Sequence, residues 1–184
     1  MRTFIAIEID SSVRAQLAAF QRRLRATGAQ VRWTRPETMH LTLAFLGEVP
    51  DPGLEIVRAA MELSVEDSHA LHLEVEGIGT FGSSRSRRIV WADLRGDVAG
   101  LQALQSRLAE ALLAAGFETE DRPFSPHITL GRIHGRRNMD AMMKRIDNAK
   151  DHTFGSIEAT AITLFKSELR PAGALHTPIY HAHL

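Results

Sequence analysis

His40-Leu41-Thr42-Leu43 and His127-Ile128-Thr129-Leu130 decide how this chain is read. Side chains of a strand alternate faces with period two, so the His and Thr of each tetrad share one face while Leu41, Leu43, Ile128 and Leu130 point the other way, into a core. Each tetrad thus offers an imidazole beside a hydroxyl. One His-x-Thr strand is weak evidence of chemistry, because a strand histidine is more often structural. Two at matching places carry more weight: His127 follows His40 by 87 positions and Thr129 follows Thr42 by the same 87, close to half of the 184 residues.

The surrounding pattern keeps that offset. Arg2 to Asp10 alternates as a strand, and Val13, Leu17, Phe20 and Leu24 then recur at helical spacing up to Gly28. In the second half a helix starts near Asp97, carries Leu101, Leu104, Leu108 and Leu112, and ends at Gly116. Asp51-Pro52 opens another helix, matched by one that Asn138 is expected to cap. Phe117–Arg122 and Phe124–Ile133 read as a strand pair, and the Arg-rich run from Ser83 to Arg88 as a linker. Phe154 to Leu169 reads as strand-rich, Arg170-Pro171-Ala172-Gly173 as a turn and His176 to Leu184 as a closing strand, the turn and closing strand making a hairpin. These features predict a single α+β domain over 1–184, built from an internal repeat with halves of roughly 1–82 and 83–184. The expected architecture is bilobal: two pseudo-symmetric lobes of antiparallel sheet, helices packed outside, and the active site in the cleft between them.

Composition narrows the function. The hydrophobic fraction is 44% and the charged fraction 24%, ordinary globular values. The absence of cysteine removes disulfides, thiolate metal sites and a thiol nucleophile. A formal net charge of zero argues against a protein that coats long nucleic acid, which needs an excess of Lys and Arg, but permits contact with one or two phosphates. No apolar run approaches the roughly 20 residues of a membrane span, and Met1 to Glu8 reads as a strand, so a cytoplasmic monomer with no membrane partner is expected.

Two opposed imidazoles suit in-line displacement at phosphorus, where the entering and leaving oxygens lie on opposite sides and each needs its own proton transfer. Thr42 and Thr129 are placed to donate hydrogen bonds to the non-bridging oxygens. Arg132, five residues after His127, is a candidate for the substrate phosphate. Phe45 and Phe124 flank the tetrads and are candidates for stacking on a base, although core packing is the commoner use of such residues. His181 and His183 share a strand face, but no third ligand pattern accompanies them, so no metal is expected. Both catalytic pKa values are expected near the ordinary imidazole value of about 6.5.

At these residues the chain resembles the two-histidine phosphoesterase superfamily, and within it the RNA 2′,3′-cyclic phosphodiesterases once called 2′-5′ RNA ligases. The resemblance runs through Phe4-Ile5-Ala6-Ile7, Val31-Arg32-Trp33, Arg35-Pro36-Glu37, His40 to Gly47, Phe124 to Arg132 and Leu164-Phe165-Lys166-Ser167. It implies hydrolysis of an RNA 2′,3′-cyclic phosphate end, or of a cyclic nucleotide, to the 2′-phosphate without a metal or other cofactor. It further implies that His40 is the proton donor and His127 the acceptor, roles that pseudo-symmetry leaves open when the residues alone are read. The family's closing tyrosine is matched by Tyr180, at a slightly longer spacing from Gly173. The alternatives are reversible 2′-5′ RNA ligation and a non-catalytic module that binds a nucleotide or a phosphate end.

Overall fold

The computed structural model describes residues 1–82, 88–118, 123–171 and 173–184. Nine strands, β1 (Arg2–Glu8), β2 (Val31–Trp33), β3 (His40–Glu48), β4 (Leu71–Phe81), β5 (Ile89–Gly96), β6 (Ile128–Ile133), β7 (Thr153–Ala159), β8 (Ala161–Arg170) and β9 (Gly173–His183), form one curled antiparallel sheet. Helices α1 (Ser11–Arg25), α2 (Asp51–Val65), α3 (Val98–Ala114) and α4 (Met139–Asp147) cover one side of it. The class is α+β, with the other face of the sheet left as a cleft.

The strand order is β7-β4-β5-β6-β3-β1-β8-β9, with β2 added to β6. The sheet's two sections, β7-β4-β5-β6 and β3-β1-β8-β9, meet through a single register pair, Leu41 opposite Ile128. These are the residues between His and Thr in each tetrad, and both are fully buried. The sections do not follow the two halves of the chain. Strand β4, from the first half, pairs with β5 and β7, while β8, from the second, pairs with β1. The two parts of the chain are interlocked through these strands.

Helix burial follows the apolar spacing: Val13, Leu17 and Leu24 of α1, Val57 and Met61 of α2, Leu101, Leu104, Leu108 and Leu112 of α3, and Met142 and Ile146 of α4 are all buried. Strand β1 is buried on both faces, because Ile5 and Ile7 enter the main core while Phe4 and Ala6 join Phe165 in a second apolar cluster. That second cluster floors one side of the cleft.

The strand pair expected at 117–133 and the cap expected at Asn138 change. Most of the expected linker, residues 83–87, lies outside the described residues, but β4 and β5 on either side of it are register partners and the Arg88 N–H donates to the Phe81 carbonyl. Residues 119–122 of the expected strand at 117–122 also lie outside the described residues, and 117–118 are not in a strand. Strand β6 begins at Ile128 rather than Phe124, because Pro123 and Pro126 have no N–H to give a ladder. Asn138 adopts a left-handed conformation (φ 55°) and makes no side-chain cap; its amide instead donates to the Thr27 carbonyl at 2.8 Å, tying α4 to the end of α1.

Candidate active site

Continuing the antiparallel register from Leu41–Ile128 by one residue each way places His40 opposite Thr129 and Thr42 opposite His127. All four side chains emerge on the cleft face. Each imidazole is oriented in the same way, through Nδ1 at 2.7 Å from the backbone carbonyl two residues upstream: Thr38 for His40 and Ser125 for His127. The local chain builds both carbonyls. Thr38 closes the 3-10 turn Pro36–Thr38, and its hydroxyl donates to the Arg35 carbonyl at 2.9 Å. Ser125 precedes Pro126, which restricts it to extended backbone. A proton held on Nδ1 leaves Nε2 of each ring as the nitrogen that accepts or delivers the reacting proton.

The surroundings of the two rings differ. His40 lies 4.7 Å from the ring of Phe4, 6.3 Å from Phe165 and, edge-on at 84°, 5.4 Å from His176. Burial in this wall is the main cause of a pKa lowered to about 4; the Thr38 carbonyl raises it and His176 lowers it further. The expected value near 6.5 is therefore corrected for His40, whose charged form loses solvation among the aromatic rings. His127 meets the edge of Phe81 at 4.9 Å, and Phe81 in turn stacks on Trp91. The Trp91 ring lies so close over Gly79 that a Cβ there would come within 2.5 Å of it. Any larger residue at 79 would displace the aromatic support of His127.

Arg132 reaches the cleft face through a bulge. Trp91 pairs with Thr129 and Val90 with Gly131, so Leu130 is an extra residue that shifts the alternation beyond it. Gly131 then lies against Val31 and Trp33 on the core side, and Arg132 returns to the side of Thr129. Directly opposite it on β2 is Arg32; both are exposed, and among the described residues neither side chain makes an ion pair or hydrogen bond. Like charges directly opposed on paired strands are unfavourable, and an anion between them relieves the cost.

Phe45 is 54% exposed, and so is not a core residue; its ring lies 6.2 Å from Phe4 at the rim of the cleft. Phe124 is partly buried against the main core. Tyr180 turns away from the cleft: its hydroxyl donates to Glu62 of α2 and Arg58 lies over its ring. His176, three residues after Gly173, takes the cleft position at that end of β9. His181 faces Thr163, whose hydroxyl donates to Glu8 at 3.1 Å. Among the described residues, no group of three or more His, Asp or Glu is placed to hold a metal ion.

Sequence reading misses His176, Phe81, Trp91 and Arg32. A signal exists for Trp91, which follows Phe4 by the same 87 positions as the tetrads. None exists for His176, whose place depends on the pairing of β9 with β8.

Residues 7–91 and 96–176 match the model of the LigT-like phosphoesterases. The RNA 2′,3′-cyclic phosphodiesterase of Methanothermobacter thermautotrophicus is 30% identical over 177 residues, 96% of this chain and 95% of that one. That of Methanocaldococcus jannaschii is 32% identical over 179 residues, covering 97% and 98%. Among solved structures, E. coli LigT complexed with 3′-AMP superposes with a TM-score of 0.81 at 25% identity, covering 100% of this chain and 97% of that one. A Thermus thermophilus protein gives 0.74 at 26%, covering 100% and 98%.

Proposed function

Because this chain belongs to the LigT-like phosphoesterase family, we propose that it hydrolyses RNA 2′,3′-cyclic phosphate ends, or cyclic nucleotides, to the 2′-phosphate, as an RNA 2′,3′-cyclic phosphodiesterase working without a metal. One observation carries the reading: two imidazoles, each fixed through Nδ1 to a carbonyl two residues upstream, on strands that meet at Leu41 and Ile128. His127 takes a proton from water as its oxygen bonds to phosphorus. The P–O3′ bond breaks on the opposite side, and His40 delivers a proton to the departing O3′. Thr42, Thr129 and Arg132 hold the non-bridging oxygens, where the negative charge sits. Each proton transfer is typically worth about 10²- to 10⁴-fold, which gives the two histidines enough to account for turnover. Phe45, exposed at the rim, offers a face to the terminal base, whereas Phe124 packs inward.

His40 is neutral at pH 7 in the empty cleft, so as donor it must gain its proton with the substrate, whose phosphate charge opposes the effect of burial. The same observation favours a second reading in which His40 is the acceptor and His127 the donor. Reversible 2′-5′ ligation is the same displacement with a 5′-hydroxyl in place of water. The deciding experiment is turnover of a 2′,3′-cyclic nucleotide in EDTA with the product followed by phosphorus NMR. A 2′-phosphate formed at the metal-replete rate is expected; no turnover, or turnover restored only by Zn²⁺ or Mn²⁺, overturns the proposal.

A further inference from the structure

We infer that Arg32 holds the phosphodiester on the 5′ side of the reacting nucleotide, a second phosphate subsite that makes an RNA end a better substrate than a cyclic mononucleotide. The inference rests on the hydrolytic reading above and deepens it by choosing between its two substrates.

The backbone sets two cations at one spot. Val31 is buried in the core and Trp33 packs against it, so strand alternation turns Arg32, the residue between them, to the cleft side. Across the ladder is Arg132, returned to the same side by the extra residue Leu130. A buried side chain holds both features in place. Gln21 of α1 is 3% exposed, and its Nε2 donates to the Leu130 carbonyl at 2.9 Å and to the Thr34 carbonyl, just past β2, at 2.6 Å. The Thr34 N–H donates to the same Leu130 carbonyl at 2.9 Å. An amide has two N–H donors, and Gln21 spends both on fixing the bulge to the end of β2.

A count of charges separates the two substrates. The cyclic phosphate of the reacting nucleotide is a diester with one negative charge, which Thr42, Thr129 and Arg132 share in the reading above. Arg32 is left with another guanidinium opposite it and, among the described residues, no ion pair or hydrogen bond of its side chain. A guanidinium does not lose its proton, so a second anion is what relieves the opposition. RNA supplies that anion one nucleotide upstream, as a phosphodiester whose two free oxygens match the guanidinium fork. A cyclic mononucleotide has none. The direction of the chain agrees. Strands β3 and β6 are antiparallel, so Phe45, four residues after Leu41, and Arg132, four residues after Ile128, lie at opposite ends of the junction. The base leaves the ribose at C1′ and the chain at C4′, on either side of the cyclic phosphate at C2′ and C3′. A terminal base on Phe45 therefore directs the 5′ chain toward the arginines.

The test uses three substrates that end in the same 2′,3′-cyclic phosphate: a mononucleotide, a dinucleotide, and the dinucleotide whose internucleotide link is an uncharged methylphosphonate. In the parent protein kcat/KM is expected to be about tenfold higher for the charged dinucleotide than for either of the others. In Arg32→Gln that preference is expected to fall to about twofold or less, and in Arg32→Lys to recover in part, because the charge returns without the fork. Taking ratios removes any loss common to the three substrates. Equal losses on all three would assign Arg32 to the reacting phosphate or to the fold and overturn the proposal. A parent that treats the charged dinucleotide and its methylphosphonate alike would overturn it too. Binding of the dinucleotide 2′-phosphate and of its methylphosphonate counterpart is measured by calorimetry alongside. A parent inactive on all three substrates would defeat the hydrolytic reading, and the subsite would then stand or fall on whether the parent binds the charged member of that pair more tightly and Arg32→Gln does not.

Discussion

The two sides of the cleft hold the same tetrad in different environments. His40 is packed among Phe4, Phe165 and His176, and its pKa is pushed down to about 4. His127 precedes its strand and meets one aromatic edge, that of Phe81. Five residues after each histidine the sides diverge again, with Phe45 at one rim and Arg132, facing Arg32, at the other. A repeated backbone thus supplies two equivalent imidazole positions, and the neighbours of one of them, His40, lower its proton affinity. This is the condition under which two chemically identical groups can take opposite roles.

The comparison breaks first at the histidines themselves. His40→Ala and His127→Ala are each expected to lower kcat by at least about 10²-fold with circular dichroism unchanged. Retained activity in either variant removes that residue from the proton transfers. Next come the hydroxyls: Thr42→Val and Thr129→Val, which keep the branched strand shape, are expected to cost roughly 10²-fold in kcat, the typical loss for one donor to a charged transition state. A purely KM effect in both would assign them to ground-state binding.

The pH profile sharpens the comparison. The acceptor must be neutral and the donor charged, so kcat/KM is bell-shaped and reports the free protein. Its rising limb is expected near pH 4, set by His40, whichever histidine donates, because the curve belongs to the pair. Below that limb both rings are charged and no acceptor remains. A rising limb near the ordinary imidazole value of about 6.5 would show that the aromatic wall does not control His40. A smaller effect is expected at the cleft's rim: Phe45→Ala should raise KM by several-fold with little change in kcat, consistent with stacking worth about 1–3 kcal/mol per base at most.

Periodicity is enough to find the helices, most strands, and the four tetrad side chains on one face, because those features are local. Three kinds of feature escape that periodicity. The pairing of β4 with β5 and of β8 with β1 is a matter of topology, and no spacing along the chain encodes it. The start of β6 at Ile128 is hidden because the apolar pattern continues through Phe124, while the missing N–H groups of Pro123 and Pro126 decide the outcome. The low pKa of His40 and the place of His176 depend on which rings the curled sheet brings together. Tyr180 illustrates the difference: its position along the chain suggests a role in the site, whereas its strand face directs it to Glu62.

The most direct test of opposed acid and base histidines uses a leaving group that needs no proton. On a p-nitrophenyl phosphodiester, His40→Ala should recover far more of the parent rate than His127→Ala does, because p-nitrophenolate departs unprotonated while water still requires its base. Equal recovery of both variants, or greater recovery of His127→Ala, would contradict His40 as donor and His127 as acceptor.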